Sequence, residues 1–203
     1  MRTLPRMLLT ALLVVALVLS LMPAGASAGP DESIRVSGHW VIEVRDPDGT
    51  PVARREFHNE LATLGPNTLA ALMTSANSPG PLSVFISCTS NCCPGSGGGQ
   101  TAQSCRITEP RAPAAVASRN LTVTRNVGSF ELRGSVVLTS NTTISGVSTQ
   151  VVTCGRTVAP QTCNSLGAGT SLTSTVLSSP MPVVAGQQVL VAVTIGFAIA
   201  AAP

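Results

Sequence analysis

Six cysteines and two histidines are the residues of this chain with the widest chemical range. Cys88, Cys92, Cys93 and Cys105 are spaced so that four thiolates could surround one zinc ion, which takes tetrahedral sulfur ligands. The adjacent pair Cys92-Cys93 and the even total argue instead for disulfide bridges in an oxidising compartment. The cysteines fall into two groups, so the expected pairing is Cys154 with Cys163 plus two bridges inside the first group, whose internal order stays open. Closing a loop of about 10 residues contributes about 2.7 kcal/mol in the chain-entropy model.

Acid–base chemistry has little to work with. A nucleophilic triad needs a Ser, His and Asp that converge, and neither an Asp-His-Ser order nor a Gly-x-Ser-x-Gly elbow surrounds His39 or His58. His39 falls on the polar face of a predicted strand and His58 at the end of its return, where surface histidine is the plain reading. Glu43 and Glu56 could stand across from each other or from Arg54 and Arg55, a pattern that serves solubility and cross-strand pairing. Asp46-x-Asp48-Gly49 resembles the start of a calcium loop but lacks the later ligands and the closing Glu. Gly95 to Gly99 would cradle phosphate only between a strand and a helix, whereas Cys93 and Cys105 make it a stapled surface loop. We therefore expect no catalytic residue, no cofactor-binding residue, no metal ligand and no cofactor. Asn120-Leu121-Thr122 and Asn141-Thr142-Thr143 match the glycosylation sequon, which has meaning only in a eukaryotic host.

The cysteine reading depends on export, and the start of the chain supplies it. Arg2 and Arg6 precede an apolar run from Met7 to Met22, and Ala26-Ser27-Ala28 forms a small-residue cleavage site. Residues 1–28 thus read as a signal peptide cut between Ala28 and Gly29, leaving 29–203 as a single domain. All twelve basic residues are Arg, and removal of Arg2 and Arg6 leaves ten against nine acids, a net charge of +1. No Arg cluster exceeds Arg54-Arg55, so the electrostatic footprint for nucleic acid is missing. No apolar run after Gly29 reaches the ~20 residues of a membrane-spanning helix. The expected location is secreted or extracellular, with the periplasm as the alternative, and the absence of Lys beside abundant Ala, Gly and Arg suggests a high-GC bacterial genome.

The elements that must position these residues read as strands. Ile34, Val36, Trp40, Ile42 and Val44 alternate with Arg35, Ser37, His39, Glu43 and Arg45, the period-two signature of a half-buried strand. Asp46-Pro47-Asp48-Gly49 then turns the chain back, predicting a hairpin over 34–58. Gly65-Pro66-Asn67 with Leu69, Leu72 and Met73 predicts a short helix at 66–75, ended by Ser78-Pro79-Gly80-Pro81. A strand over 82–87 leads into a Cys/Gly-rich loop at 88–105. Further strands are predicted at 119–125, 128–139, 144–154, 170–178 and 187–199. The last should bury Val189, Val191, Val193, Ile195, Phe197 and Ile199. Short strands and frequent turns predict an all-β fold, an antiparallel β-sandwich of jelly-roll-like type with one short helix, stapled by disulfides.

Two segments resemble parts of β-rich phage virion proteins and bacterial surface proteins. One runs from Trp40 through Asp46-Pro47-Asp48-Gly49 to Phe57-His58-Asn59-Glu60-Leu61, Gly65 and the helix at Leu69. The other runs from Ala185-Gly186-Gln187-Gln188-Val189 to Ile195-Gly196-Phe197. The resemblance covers about a quarter of the chain, assigns no family and carries over no functional residue. A signal peptide departs from the virion pattern, since phage structural proteins assemble in the cytoplasm.

Export, stapling and Thr/Ser-rich strands lead to one expectation: a non-catalytic structural or adhesive surface module acting through protein partners or self-assembly. A glycan- or peptide-binding domain comes second and a hydrolase third. Composition opposes the glycan reading, because the chain has no Tyr, one Trp and four Phe, and all five aromatics fall on segments that need core residues.

Overall fold

The computed structural model describes residues 33–62, 65–74, 77–93, 103–110, 118–159, 162–163 and 169–200. The expected signal segment, with its expected cleavage site between Ala28 and Gly29, and the glycine run at 95–99 lie outside them. Nine strands and one helix follow in order: β1 (Ser33–Arg45), β2 (Pro51–Glu60), α1 (Gly65–Met73), β3 (Asn77–Cys88), β4 (Ser104–Thr108), β5 (Thr122–Asn126), β6 (Ser129–Val137), β7 (Thr142–Gly155), β8 (Thr170–Val183) and β9 (Gln188–Ala200). They form two antiparallel sheets, of order β2-β1-β9-β6-β5 and β4-β3-β7-β8. The fold is the expected all-β sandwich with one short helix. Residues 35–198 are one compact unit, and no helix among the described residues is long and apolar enough to cross a membrane.

The β1–β2 hairpin closes as its turn chemistry requires. Gly49 takes a φ of 89°, a left-handed value that costs glycine little, while Gly49 N–H donates to Asp46 O at 2.8 Å and Asp46 N–H to Thr50 O at 2.9 Å. Alternation then buries Val36, Trp40, Ile42 and Val44 against the other sheet. Leu132, Val136, Val189, Val191, Val193 and Ile195 extend this inner face, and Val84, Ile86, Ile107, Ile144, Val147 and Met181 oppose it in one continuous core. Here β9 sits in the middle of its sheet, paired on both sides. At Gly134 the layers come too close for a side chain, since a Cβ would stand 2.6 Å from Ile107 Cγ2.

The structure corrects several boundaries. The helix spans Gly65–Met73, starting tight against Leu172 O. Ser78-Pro79-Gly80-Pro81 does not break the chain but belongs to β3, where the register slips between Pro79 and Leu82. Strand β8 runs on to Val183 through Pro180 and Pro182, with Leu177 to Pro180 bulging between the Val176–Gly146 and Met181–Ile144 pairs, and a bulge is where a strand tolerates proline. The expected 88–105 loop gives way at Ser104 to β4, which runs on to Thr108 and pairs with β3. In addition, 118–121 joins the free side of β4 through Thr108 N–H to Ser118 O and Leu121 N–H to Thr108 O before the chain crosses to the other sheet. On the opposite side of the sandwich, Ala62 N–H donates to Leu172 O and Leu61 bridges Thr173.

Candidate functional site

The hairpin brings the two histidines together on its outer surface, where His39 pairs with His58 across the strands and their rings stack at 4.6 Å. His39 Nε2 lies 2.9 Å from Glu56 Oε1, and Glu56 Oε2 accepts from Arg54 at 2.8 Å. Glu43 stands opposite Arg54 and is ion-paired with Arg45. The two glutamates therefore do not face each other; His39–Glu56 and the opposed Glu43 and Arg54 are cross-strand neighbours of the kind that favours strand pairing.

Turn geometry accounts for both aspartates. Asp48 Oδ1 accepts Thr50 N–H at 2.9 Å, and hydrogen bonding from the Thr50 backbone holds the Asp48 carboxyl below its ordinary pKa. Asp46 Oδ1 accepts from Gln187 at 2.8 Å, tying the hairpin turn to the approach to β9. The sequon residues also have structural partners: Asn120 binds Ser118 and Ser135, and Asn141 Oδ1 accepts Ala185 N–H.

The cysteines pair as Cys88–Cys92, Cys93–Cys105 and Cys154–Cys163, matching the expected division and settling the order within the first group. Cys105 Sγ also lies 3.1 Å from Cys92 Sγ, so the two bridges touch inside the core. The Sγ atoms of Cys88, Cys92 and Cys105 lie within 4.8 Å of one another, as zinc ligands would; in bridged form these sulfurs are not thiolates, the species that binds zinc. Next to them Arg106 is buried, with Nε donating to Ser83 Oγ at 2.9 Å and its guanidinium 5.2 Å from the Phe85 ring centre. Burial lowers its pKa.

A different region, unmarked in the sequence, has the geometry of a binding site. At the end of the sandwich beside the β5–β6 turn, a groove of about 970 Å³ opens between the layers. One wall comes from the five-stranded sheet, with Val123 and Arg125 on β5, Phe130 on β6 and Phe197 on β9. The other comes from Leu69 and Leu72 of α1, Leu82 and Pro79 of β3, Val151 and Leu172. Gly80 lies against the Cys154–Cys163 bridge so closely that a Cβ would meet Cys163 Sγ at 2.9 Å; the disulfide thus backs the groove.

Phe197 corrects the expectation for the last strand. Val189, Val191, Val193 and Ile195 are buried, but Phe197 is 39% exposed, and the Ile199 side chain lies outside the description. Phe197 N–H donates to Gly128 O at the hairpin turn, and its ring lines the groove. It lies 6.0 Å from the Phe130 ring in a tilted pair. Arg125 pairs directly with Phe130, as Val123 does with the buried Leu132, which places Arg125 on the inner face of its sheet. Apolar walls with one guanidinium at the rim offer burial for a tail and a charge partner for a head, which is the chemistry of binding.

No family model matches the chain, and no curated protein or solved structure matches it.

Proposed function

We propose that this chain is an exported, non-catalytic structural or adhesive module that acts through protein–protein contacts, in its simplest form with further copies of itself. One observation carries the reading. A depression of about 590 Å³ is lined by Val52, Ala53, Pro182, Val183 and Val184 together with Asn141, Thr142, Thr143 and Gln187, and Val52 and Val184 are 48% and 55% exposed. Its lining is apolar or uncharged, and depletion of charge is what marks the centre of a protein interface. Strand addition is disfavoured by the edges: β2 carries Arg54, Arg55 and Glu56, β5 is only 5 residues long, β4 is flanked by 118–121, and β8 bulges near Pro180. Such devices blunt edge pairing, which leaves face-to-face contact as the mode of association. Three disulfides suit an oxidising destination.

Sedimentation velocity on the secreted, disulfide-intact chain, from roughly 1 to 100 μM, tests this, in the micromolar range where weak interfaces populate. Self-association that is lost in Val184→Glu, with an unchanged thermal midpoint, is the expected result. A chain that stays monomeric throughout, or one whose association ignores Val184→Glu, overturns it.

A further inference from the structure

We propose that the groove at the open end of the sandwich binds an amphipathic monocarboxylate, a carboxylic acid with an unbranched apolar tail, and that Arg125 pairs with its headgroup. The site shares no residue with the depression at Val52 and Val184, so the inference stands apart from the self-association reading.

Arg125 lies directly across from Phe130, on the face of the sheet that carries the core; it is exposed at the rim of the groove, and among the described residues no hydrogen bond or ion pair engages its side chain. A cation beside an apolar wall is favourable where it meets an anion, and guanidinium matches a carboxylate through two parallel hydrogen bonds. Glu109, the acid on the lining, is already accepting Leu82 N–H at 2.7 Å. It would repel a ligand with several negative charges while tolerating one.

The walls define the rest of the ligand. Leu69, Leu72, Leu82, Phe130 and Phe197 come from the helix and from both sheets, so a tail inserted between the layers is covered on two sides. About 970 Å³ falls near the top of the ~300–1,000 Å³ range of small-molecule pockets, ample for an alkyl chain. A sugar would leave its hydroxyls facing these side chains without partners, which is costly.

The competing explanation is that Arg125 only guards the β5 edge, since inward charges on edge strands prevent pairing with other chains. Calorimetric titration of the disulfide-intact chain separates the two. The probes are octanoate and decanoate below their micellar concentrations, together with decanol, which keeps the tail and lacks the charge. Affinity should rise about three- to fourfold per added methylene, and decanoate should bind about tenfold more tightly than decanol. Arg125→Gln should remove that preference while leaving decanol binding unchanged, Arg125→Lys should restore part of it, and Phe197→Ala should weaken both ligands. Thermal melts of all three variants establish that they are folded. The proposal is overturned by absent binding at millimolar decanoate, by a carboxylate preference that survives Arg125→Gln, or by Arg125→Gln chains that self-associate more strongly than the parent chain with ligand binding intact, the signature of a guard. Binding of an apolar peptide with a free C-terminal carboxylate in place of decanoate overturns it equally.

Discussion

Two aromatic pairs on the same face of the same sheet meet different fates. Trp40 and Phe57 stack across the β1–β2 hairpin at 6.1 Å, with Trp40 fully buried and its indole N–H donating to Asn59 Oδ1 at 3.0 Å. Phe130 and Phe197 are equally close at 6.0 Å, yet they form the wall of an open groove. All four follow the period-two pattern that turns a side chain inward. The difference lies in what stands opposite: Trp40 is sealed within the core, whereas Phe197, two residues beyond Ile195, lines an open groove with residues of α1 and β3. Direction and coverage are separate properties, and only direction is written in strand alternation.

The largest expected effect comes from removing the strand that the two ends share. Deleting residues 187–203 takes out Val189, Val191, Val193 and Ile195, each buried and each contributing about 1.5–3 kcal/mol. We expect loss of soluble folded protein, read by circular dichroism and size exclusion. A truncated chain that stays monomeric and melts cooperatively would refute the central role of β9.

Next comes the direct test of the comparison. Trp40→Ala should destabilise by about 3–5 kcal/mol in urea titration, while Phe197→Ala should cost under ~1 kcal/mol, because its ring already meets water over part of its surface. Equal costs would mean that the open end is as tightly packed as the hairpin. The bridge behind the groove gives a third contrast. Replacing Cys154 and Cys163 with Ser should cost about 2.7 kcal/mol and weaken decanoate binding, whereas a groove indifferent to the bridge would show stability loss with affinity unchanged.

Smaller effects probe the hairpin end. Asn59→Ala leaves the Trp40 indole N–H buried without an acceptor, a penalty of about 1–3 kcal/mol. This is reduced by the fact that Asn59 Nδ2 is itself buried without a partner. A neutral result would show that the indole finds another acceptor. The smallest effect is at the turn. The Asp48 carboxyl is held below its ordinary value by the Thr50 backbone N–H, so its contribution is present above the unfolded pKa of about 3.9 and is lost as pH falls through the lower folded value. Asp48→Asn should therefore flatten the decline of stability below about pH 4; acid profiles that superimpose would exclude the contribution.

Much of the architecture was legible, and the misses have specific causes. Alternation in β1 and β9 identified the buried faces at Val36, Trp40, Val189 and Ile195. Asp46-Pro47-Asp48-Gly49 announced its turn because proline and glycine restrict the backbone locally. Pro79-Gly80-Pro81 misled because proline reads as a breaker, while a bulge absorbs it inside β3. The strand at Ser104–Thr108 was hidden by short length and by buried residues on both faces, including Arg106, so no alternation marked it. Of the groove residues, Leu69 and Leu72 share the helical period and Phe197 the apolar face of the last strand, but nothing local distinguishes a covered position from an overhanging one. Arg125, polar in a run of Thr and Asn, gave no sign that its partner across the ladder would be Phe130.

The sequence by itself determined the all-β class, the hairpin, the inward faces and the division of the cysteines into two groups, because these follow from backbone preference, period and proximity along the chain. The tertiary structure decided which inward residues are sealed and which line an opening, how Cys88, Cys92, Cys93 and Cys105 pair, and that Arg125 stands on an apolar wall. Those outcomes depend on how far one layer reaches over the other and on contacts between segments as distant as Phe130 and Phe197, for which no short stretch of chain holds the information.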